Sequence, residues 1–233
     1  MNTEIYKRST ELLDKYTTFI QSINQENLQK NITVQNLFSL KSVLSNINNV
    51  LTLLATLAIA RKIIEIFNIG NKQKEDIFFN IENKKANSNG FDIQIDAPRK
   101  ILVEVKCNAL IHEQKLGQAQ INSILEDARK LRKESLRHRK IKIETSEYLK
   151  IIGIVNSSTK FYEKAVTQII KEVKCKENTN PERQERLKVK KHICPLTSIS
   201  DLINIQDLDK IYLVGISVDD MEKELQKIKT VQK

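Results

Sequence analysis

The chain has 233 residues, 40% of them hydrophobic, with 5% aromatic content, no Trp, five Gly and three Pro. This suits one domain, or one domain with an appended helical part, around a core of mostly Ile, Leu and Val, and it argues against long structureless linkers. The net charge of +10 fits a polyanionic partner, nucleic acid ahead of an anionic membrane, and speaks to partners rather than fold.

Taken in chain order, residues 3–27 read as an amphipathic helix, with Ile5, Leu12, Leu13, Tyr16, Phe19, Ile20 and Ile23 at helical spacing. Residues 1–15 are polar and charged and lack the apolar stretch of a signal peptide. Residues 35–67 read as one long helix or two in succession, stopped by Asn68-Ile69-Gly70-Asn71. Within it, residues 50–60 form the most apolar run. Broken by Asn46, Asn48 and Asn49 before it and by Arg61 and Lys62 after it, this run is too short for a bilayer and reads as a buried core helix. Residues 75–79 are a short helical or extended piece, and 84–90 a polar loop. Strands follow near 91–96 and 101–107, then a helix over 114–137, a buried strand over 150–155 and a helix over 159–176. After a loop come a basic helical segment over 182–192, a buried strand over 211–218 and a terminal helix over 219–229. Asp219 and Asp220 suit the positive N-terminal end of that last helix. Continuous apolar strands after Lys150 suit a sheet covered on both faces. The fold class expected is therefore α/β, a central mixed β-sheet flanked by helices, with a helical N-terminal region over 1–70 packed on a core over 71–233.

Cys107, Cys175 and Cys194 have no C-x-x-C spacing and read as reduced thiols of a cytoplasmic protein. Cys107 is expected to behave as a small apolar residue rather than a nucleophile.

The chemistry concentrates in Gly90-Phe91-Asp92-Ile93-Gln94-Ile95 and Ile101-Leu102-Val103-Glu104-Val105-Lys106. Both runs alternate apolar and polar residues, and Pro98 marks the break between them. On the second strand Ile101, Val103 and Val105 share one face, and Leu102, Glu104 and Lys106 the other. Directly opposed residues of an antiparallel pair point to the same face. A five-residue loop, 96–100, sets Ile95 opposite Ile101 and Asp92 opposite Glu104, whereas a four-residue loop turns Asp92 away. Two carboxylates and a lysine at one point are what metal-assisted phosphodiester hydrolysis needs: hard oxygens for Mg²⁺, with Mn²⁺ as a substitute, and a lysine to orient or deprotonate water. The competing reading is an ordinary hairpin with a solvated Glu104–Lys106 pair, worth little energetically.

Asp92, then Glu104-Val105-Lys106 after a short loop, with a long helix following, resembles the PD-(D/E)XK nuclease superfamily, which includes most type II restriction endonucleases. Phe91 stands where that pattern has proline. The resemblance implies a restriction-endonuclease-like core, with Asp92 and Glu104 as metal ligands, the Val105 carbonyl as a further ligand and Lys106 at the water. It also implies an acidic residue on the preceding helix, with Glu65 the first candidate and Glu75 and Asp76 alternatives; Glu65 could equally pair with Arg61. Asp96 reads as a turn residue. Gln118 and Gln120 would sit early in the following helix, beside the cleft. His112 reads as structural or exposed.

The densest positive charge is Arg129, Lys130, Arg132, Lys133, Arg137, Arg139, Lys140 and Lys142, with a second cluster at Lys188, Lys190 and Lys191. Such runs are usually solvated faces; here they could grip double-stranded DNA phosphates. The reading is thus a Mg²⁺-dependent DNA endonuclease, a type II restriction enzyme or related defence nuclease, acting off the membrane, with a homodimer as one arrangement for cutting both strands. The alternatives are a structure-specific repair or junction nuclease and a catalytically silent nucleic-acid-binding protein.

Overall fold

A computed structural model describes residues 7–25, 34–84, 90–107, 116–132, 144–156, 160–171 and 180–231. Seven α-helices surround one sheet among these residues. They are α1 (Lys7–Gln25), α2 (Val34–Ile66), α3 (Asn71–Asn83), α4 (Gln118–Arg132), α5 (Phe161–Ile170), α6 (Pro181–Val189) and α7 (Val218–Val231). The strands are β1 (Ile93–Ile95), β2 (Ile101–Lys106), β3 (Leu149–Asn156), β4 (Ile193–Pro195) and β5 (Ile211–Ser217). They lie in the order β1-β2-β3-β5-β4, with β1 antiparallel to β2 and the other pairs parallel. The expected α/β class with a mixed sheet flanked by helices is what the molecule has.

Strand periodicity sends alternate residues into two cores. Ile101, Val103 and Val105, with Leu149, Ile151, Tyr212 and Val214, pack toward α2, α3 and α7. Leu102, Ile152, Ile154, Ile211 and Leu213 pack toward α4 and α5. Each fully buried Ile or Leu contributes about 1.5–3 kcal/mol of transfer free energy. The result is three layers, helices over a sheet over helices.

Residues 34–66 form one helix rather than two. It stops as its sequence suggests: Asn68 takes a left-handed φ of 49°, and Ile69 N–H returns to the Ile64 carbonyl at 2.9 Å. The stretch Ile47–Ile66 is long and apolar enough, by length and composition, to cross a bilayer, a correction to the shorter run read from the sequence, and more than half of it is buried inside the protein. Leu57, Ile59 and Ile63 lie in the same core as the sheet. Residue 70 therefore marks a helix end, not a gap between cores. Arg61 of α2 forms a two-pronged pair with Glu224 of α7, one contact at 2.8 Å, and Lys227 adds a third at 2.7 Å. α1 is tied to α3 through Ser9, whose N–H donates to Glu82 Oε2 at 3.2 Å.

Two elements depart from the sequence reading. The segment 75–79 belongs to a full helix, α3, and the strand β4 was not foreseen. Three residues are too few for a periodicity to show; β4 exists because β5 offers it a free edge. The helix expected over 114–137 begins at Gln118, after Gly117, and beyond Arg132 lies outside the described residues.

Gly153, mid-β3, lets α2 close on the sheet. A Cβ there would stand 2.7 Å from Ile216 Cδ1 and 2.9 Å from Ile59 Cδ1. Both neighbours are buried, with little room to turn away. Gly153→Ala should destabilise the protein by about 1–3 kcal/mol, read as a lower urea midpoint. An unchanged midpoint would show that α2 rides loosely on the sheet.

Candidate active site

Ile93 pairs with Val103, Gln94 with Leu102 and Ile95 with Ile101. This is the register of the five-residue loop, and continued by one residue it sets Asp92 against Glu104. Asp92 precedes β1, and its Oδ2 accepts the Val105 N–H at 2.7 Å. Along a strand, the N–H and carbonyl of one residue point to the same side. The Val105 carbonyl thus lies on the Asp92 side of β2.

Glu104 and Lys106 face α4. Three residues of α4 spaced by four and three, Ser123, Asp127 and Lys130, form the stripe that meets them. Lys106 Nζ donates to Ser123 Oγ at 3.1 Å and pairs with Asp127 Oδ2 at 2.5 Å. The Lys130 ammonium pairs with Glu104, donates to the Gly90 carbonyl at 2.8 Å and lies 5.2 Å from the Phe91 ring centroid. Gly90 presents that carbonyl from a φ of 140°, a conformation side-chain-bearing residues rarely adopt. Glu104 and Lys106 thus do not pair with each other as an isolated surface bridge; each has a partner on α4.

Glu104 is only 5% exposed. Burial, then the charges of Asp92 and Asp127, push its carboxyl up to about 8 against the opposing pull of Lys130. Burial also raises Asp127, with Lys106 and Lys130 opposing and the charge of Asp92 adding. Three carboxylates therefore crowd two ammonium groups. Asp127, Lys130 as an inward partner and Ser123 were not foreseen as a set. The available signal was a polar stripe at i, i+4, i+7 on an otherwise amphipathic helix following the hairpin.

The remaining candidates scatter. Glu65 is exposed on α2, the helix covering the face opposite Glu104, and Glu75 and Asp76 are exposed on α3. Asp96 accepts from the Tyr148 hydroxyl at 2.5 Å, as a turn-flanking residue can. Gln120 Oε1 accepts the Gly117 N–H at 2.7 Å, at the start of α4, and Gln118 donates to Asn122 at 3.0 Å. Arg129 Nε donates to Glu126 at 3.0 Å and Arg132 donates to Asp209 at 2.9 Å. Lys188 pairs with Glu185 at 3.1 Å, Lys190 donates to the Lys171 carbonyl at 2.9 Å, and Lys191 is exposed. Burial pushes the Cys107 thiol up to about 11, as suits an unreactive residue. His112, Lys133, Arg137, Arg139, Lys140, Lys142 and Cys175 lie outside the described residues.

The donor set of Asp92, Glu104 and Asp127 fits a hard cation in chemistry, being all carboxylate oxygen with excess negative charge. Its placement is less complete: among the described residues no three His, Cys, Asp or Glu side chains stand together as a metal-holding group. Lys130 places its ammonium on the Glu104 oxygen where a cation would bind. No protein-family model, curated protein or solved structure matches this chain.

Glu104 gives a pH signature. Its folded-state carboxyl, at about 8, lies above the ordinary 4.5. The folded state therefore holds a proton that the unfolded chain releases, and this contribution to stability is complete below 4.5 and lost as pH rises through 8. The wild type should lose stability over that window relative to Glu104→Gln, whose neutral amide does not titrate. Parallel thermal melts of the two proteins would check it; identical pH slopes would mean Glu104 is ionised throughout.

Proposed function

We propose that this chain is a divalent-metal-dependent endonuclease of double-stranded DNA, of the PD-(D/E)XK kind, closest in type to a type II restriction enzyme or related defence nuclease. The observation that carries it is a buried Glu104 crowded by Asp92 and Asp127 at the end of a hairpin, beside Lys106. Perturbed carboxylates of this sort concentrate at functional sites. Asp92 and Glu104 would hold Mg²⁺ or Mn²⁺, with the Val105 carbonyl on the same side. When bound, the ion would supply Lewis-acid stabilisation of charge on the phosphate. Lys106 Nζ, steadied by Asp127 and Ser123, would orient the attacking water. Lys130 would oppose part of the burial and crowding at Glu104 in the chain alone and yield that carboxylate when a cation arrives. Cutting both strands would call for a second copy of the chain.

A second reading is a silent DNA-binding protein. It is favoured by the same two ion pairs, since Lys130 on Glu104 and Lys106 on Asp127 already answer part of the buried charge. Incubation with plasmid and Mg²⁺ separates the readings: discrete fragments indicate a restriction enzyme, a smear or junction-limited cutting a structure-specific nuclease, and binding without cutting the silent protein.

Glu104→Ala and Lys106→Ala should each abolish cleavage and leave DNA affinity within a few-fold of wild type. Retained cutting by both variants would end the assignment. Mg²⁺ should also raise the melting temperature of the wild type and not of Glu104→Ala, a readout independent of cleavage.

A further inference from the structure

A cleft of about 230 Å³ opens between α4, α5 and α6, on the flank of α4 away from the hairpin. At 100° per residue, its α4 residues Gln118, Ile121, Asn122 and Leu125 lie across the helix from Ser123, Asp127 and Lys130. We infer that this cleft binds a nucleoside monophosphate unit, either a free nucleotide or the 5′-phosphorylated end of a strand. The inference goes beyond the nuclease reading and does not rest on it.

The cations come first. Lys171, Arg183, Arg186 and Lys190 line the cleft, and its described lining contains no Asp or Glu. Arg183, Arg186 and Lys190 are spaced by three and four along α6 and the turn after it, which puts them on one side. Arg186 Nε is buried with no hydrogen-bond partner among the described residues. A buried charged donor without an acceptor is costly, and a phosphate oxygen is the acceptor its geometry suits best. Burial lowers the Lys190 ammonium, and an anion beside it would reverse that.

The rest of the cleft suits a nucleoside rather than bare phosphate. Ile121, Leu125 and Leu187 give an apolar floor for a sugar and the face of a base. The amides of Gln118, Asn122 and Gln168 stand around it. Gln168 Oε1 accepts the Leu116 N–H at 2.8 Å, which orients that amide. Pockets for drug-sized ligands run about 300–1,000 Å³. A volume somewhat below that range suits a ligand no larger than about one nucleotide.

Calorimetric titration of the full chain, without metal, tests this with inorganic phosphate, a deoxynucleoside 5′-monophosphate and a short single strand with or without its 5′-phosphate. The monophosphate should bind one to one and roughly tenfold or more tighter than phosphate, and Arg186→Gln should weaken it by roughly tenfold. Arg183→Gln, at an exposed position, repeats the test should Arg186→Gln fail to fold. Binding of the phosphorylated strand in preference to the unphosphorylated one identifies a strand end; binding of the monophosphate alone identifies a free nucleotide. Absence of saturable monophosphate binding, equal affinity for phosphate, or full affinity in the folded Arg variants would overturn the inference. Because no cleavage is measured, failure here leaves the nuclease reading standing, and the reverse.

Discussion

Parallel pairing of β2, β3 and β5 is the constraint on which the rest of the molecule depends. Strands paired this way need long crossovers, and the helices in those crossovers cover the sheet. Ile151 and Ile152, neighbours on β3, accordingly point into different cores and are both fully buried. α2 closes one side, pressed to the sheet where Gly153 has no side chain, and α4 and α5 close the other. Even the charges between helices follow: Glu224, 1% exposed on α7, is kept ionised by Arg61 and Lys227, whose hydrogen bonds and charges outweigh burial.

That enclosure makes any polar residue on an inner strand face expensive, and Glu104 is on one. Removing a carboxylate from water costs more than a single ion pair returns. Here Lys130 is not enough to hold Glu104 ionised against burial and two neighbouring carboxylates. A stable core had cheaper options at this position, such as the aliphatic residues on either side of it. That cost is the ground on which the proposed function is placed at Asp92, Glu104, Lys106, Asp127 and Lys130.

The surplus of positive charge is spent in two ways. On α4, Arg129, Lys130 and Arg132 answer acidic partners at Glu126, Glu104 and Asp209. Around α6 the charge instead gathers at a cleft whose described lining carries no acid. A run of basic residues in a helix is thus not one surface: helical spacing divides it among a sheet-facing stripe, intrahelical pairs and a groove.

The sequence by itself determined four of the five strands and most helices, because apolar periodicity reports local geometry directly. It also determined which face of β2 carries Glu104 and Lys106, and it reduced the place of Asp92 to a loop length, five residues setting it opposite Glu104 and four turning it away, which the observed register then decided. These follow from the two-residue repeat of a strand and need no knowledge of what lies above it. Only the tertiary structure decided what meets that face. Ser123, Asp127 and Lys130 come from a helix that begins eleven residues or more after the hairpin, at Gln118, and the angle at which that helix crosses the sheet is set by packing of Ile124, Leu125, Ala128 and Leu131 rather than by any local pattern. The same holds for Glu65, whose helix packing turned it away to the opposite layer, and for β4, which forms only because β5 offers it a partner. Local geometry is written in short-range spacing; the company a residue keeps is settled by close packing between distant segments.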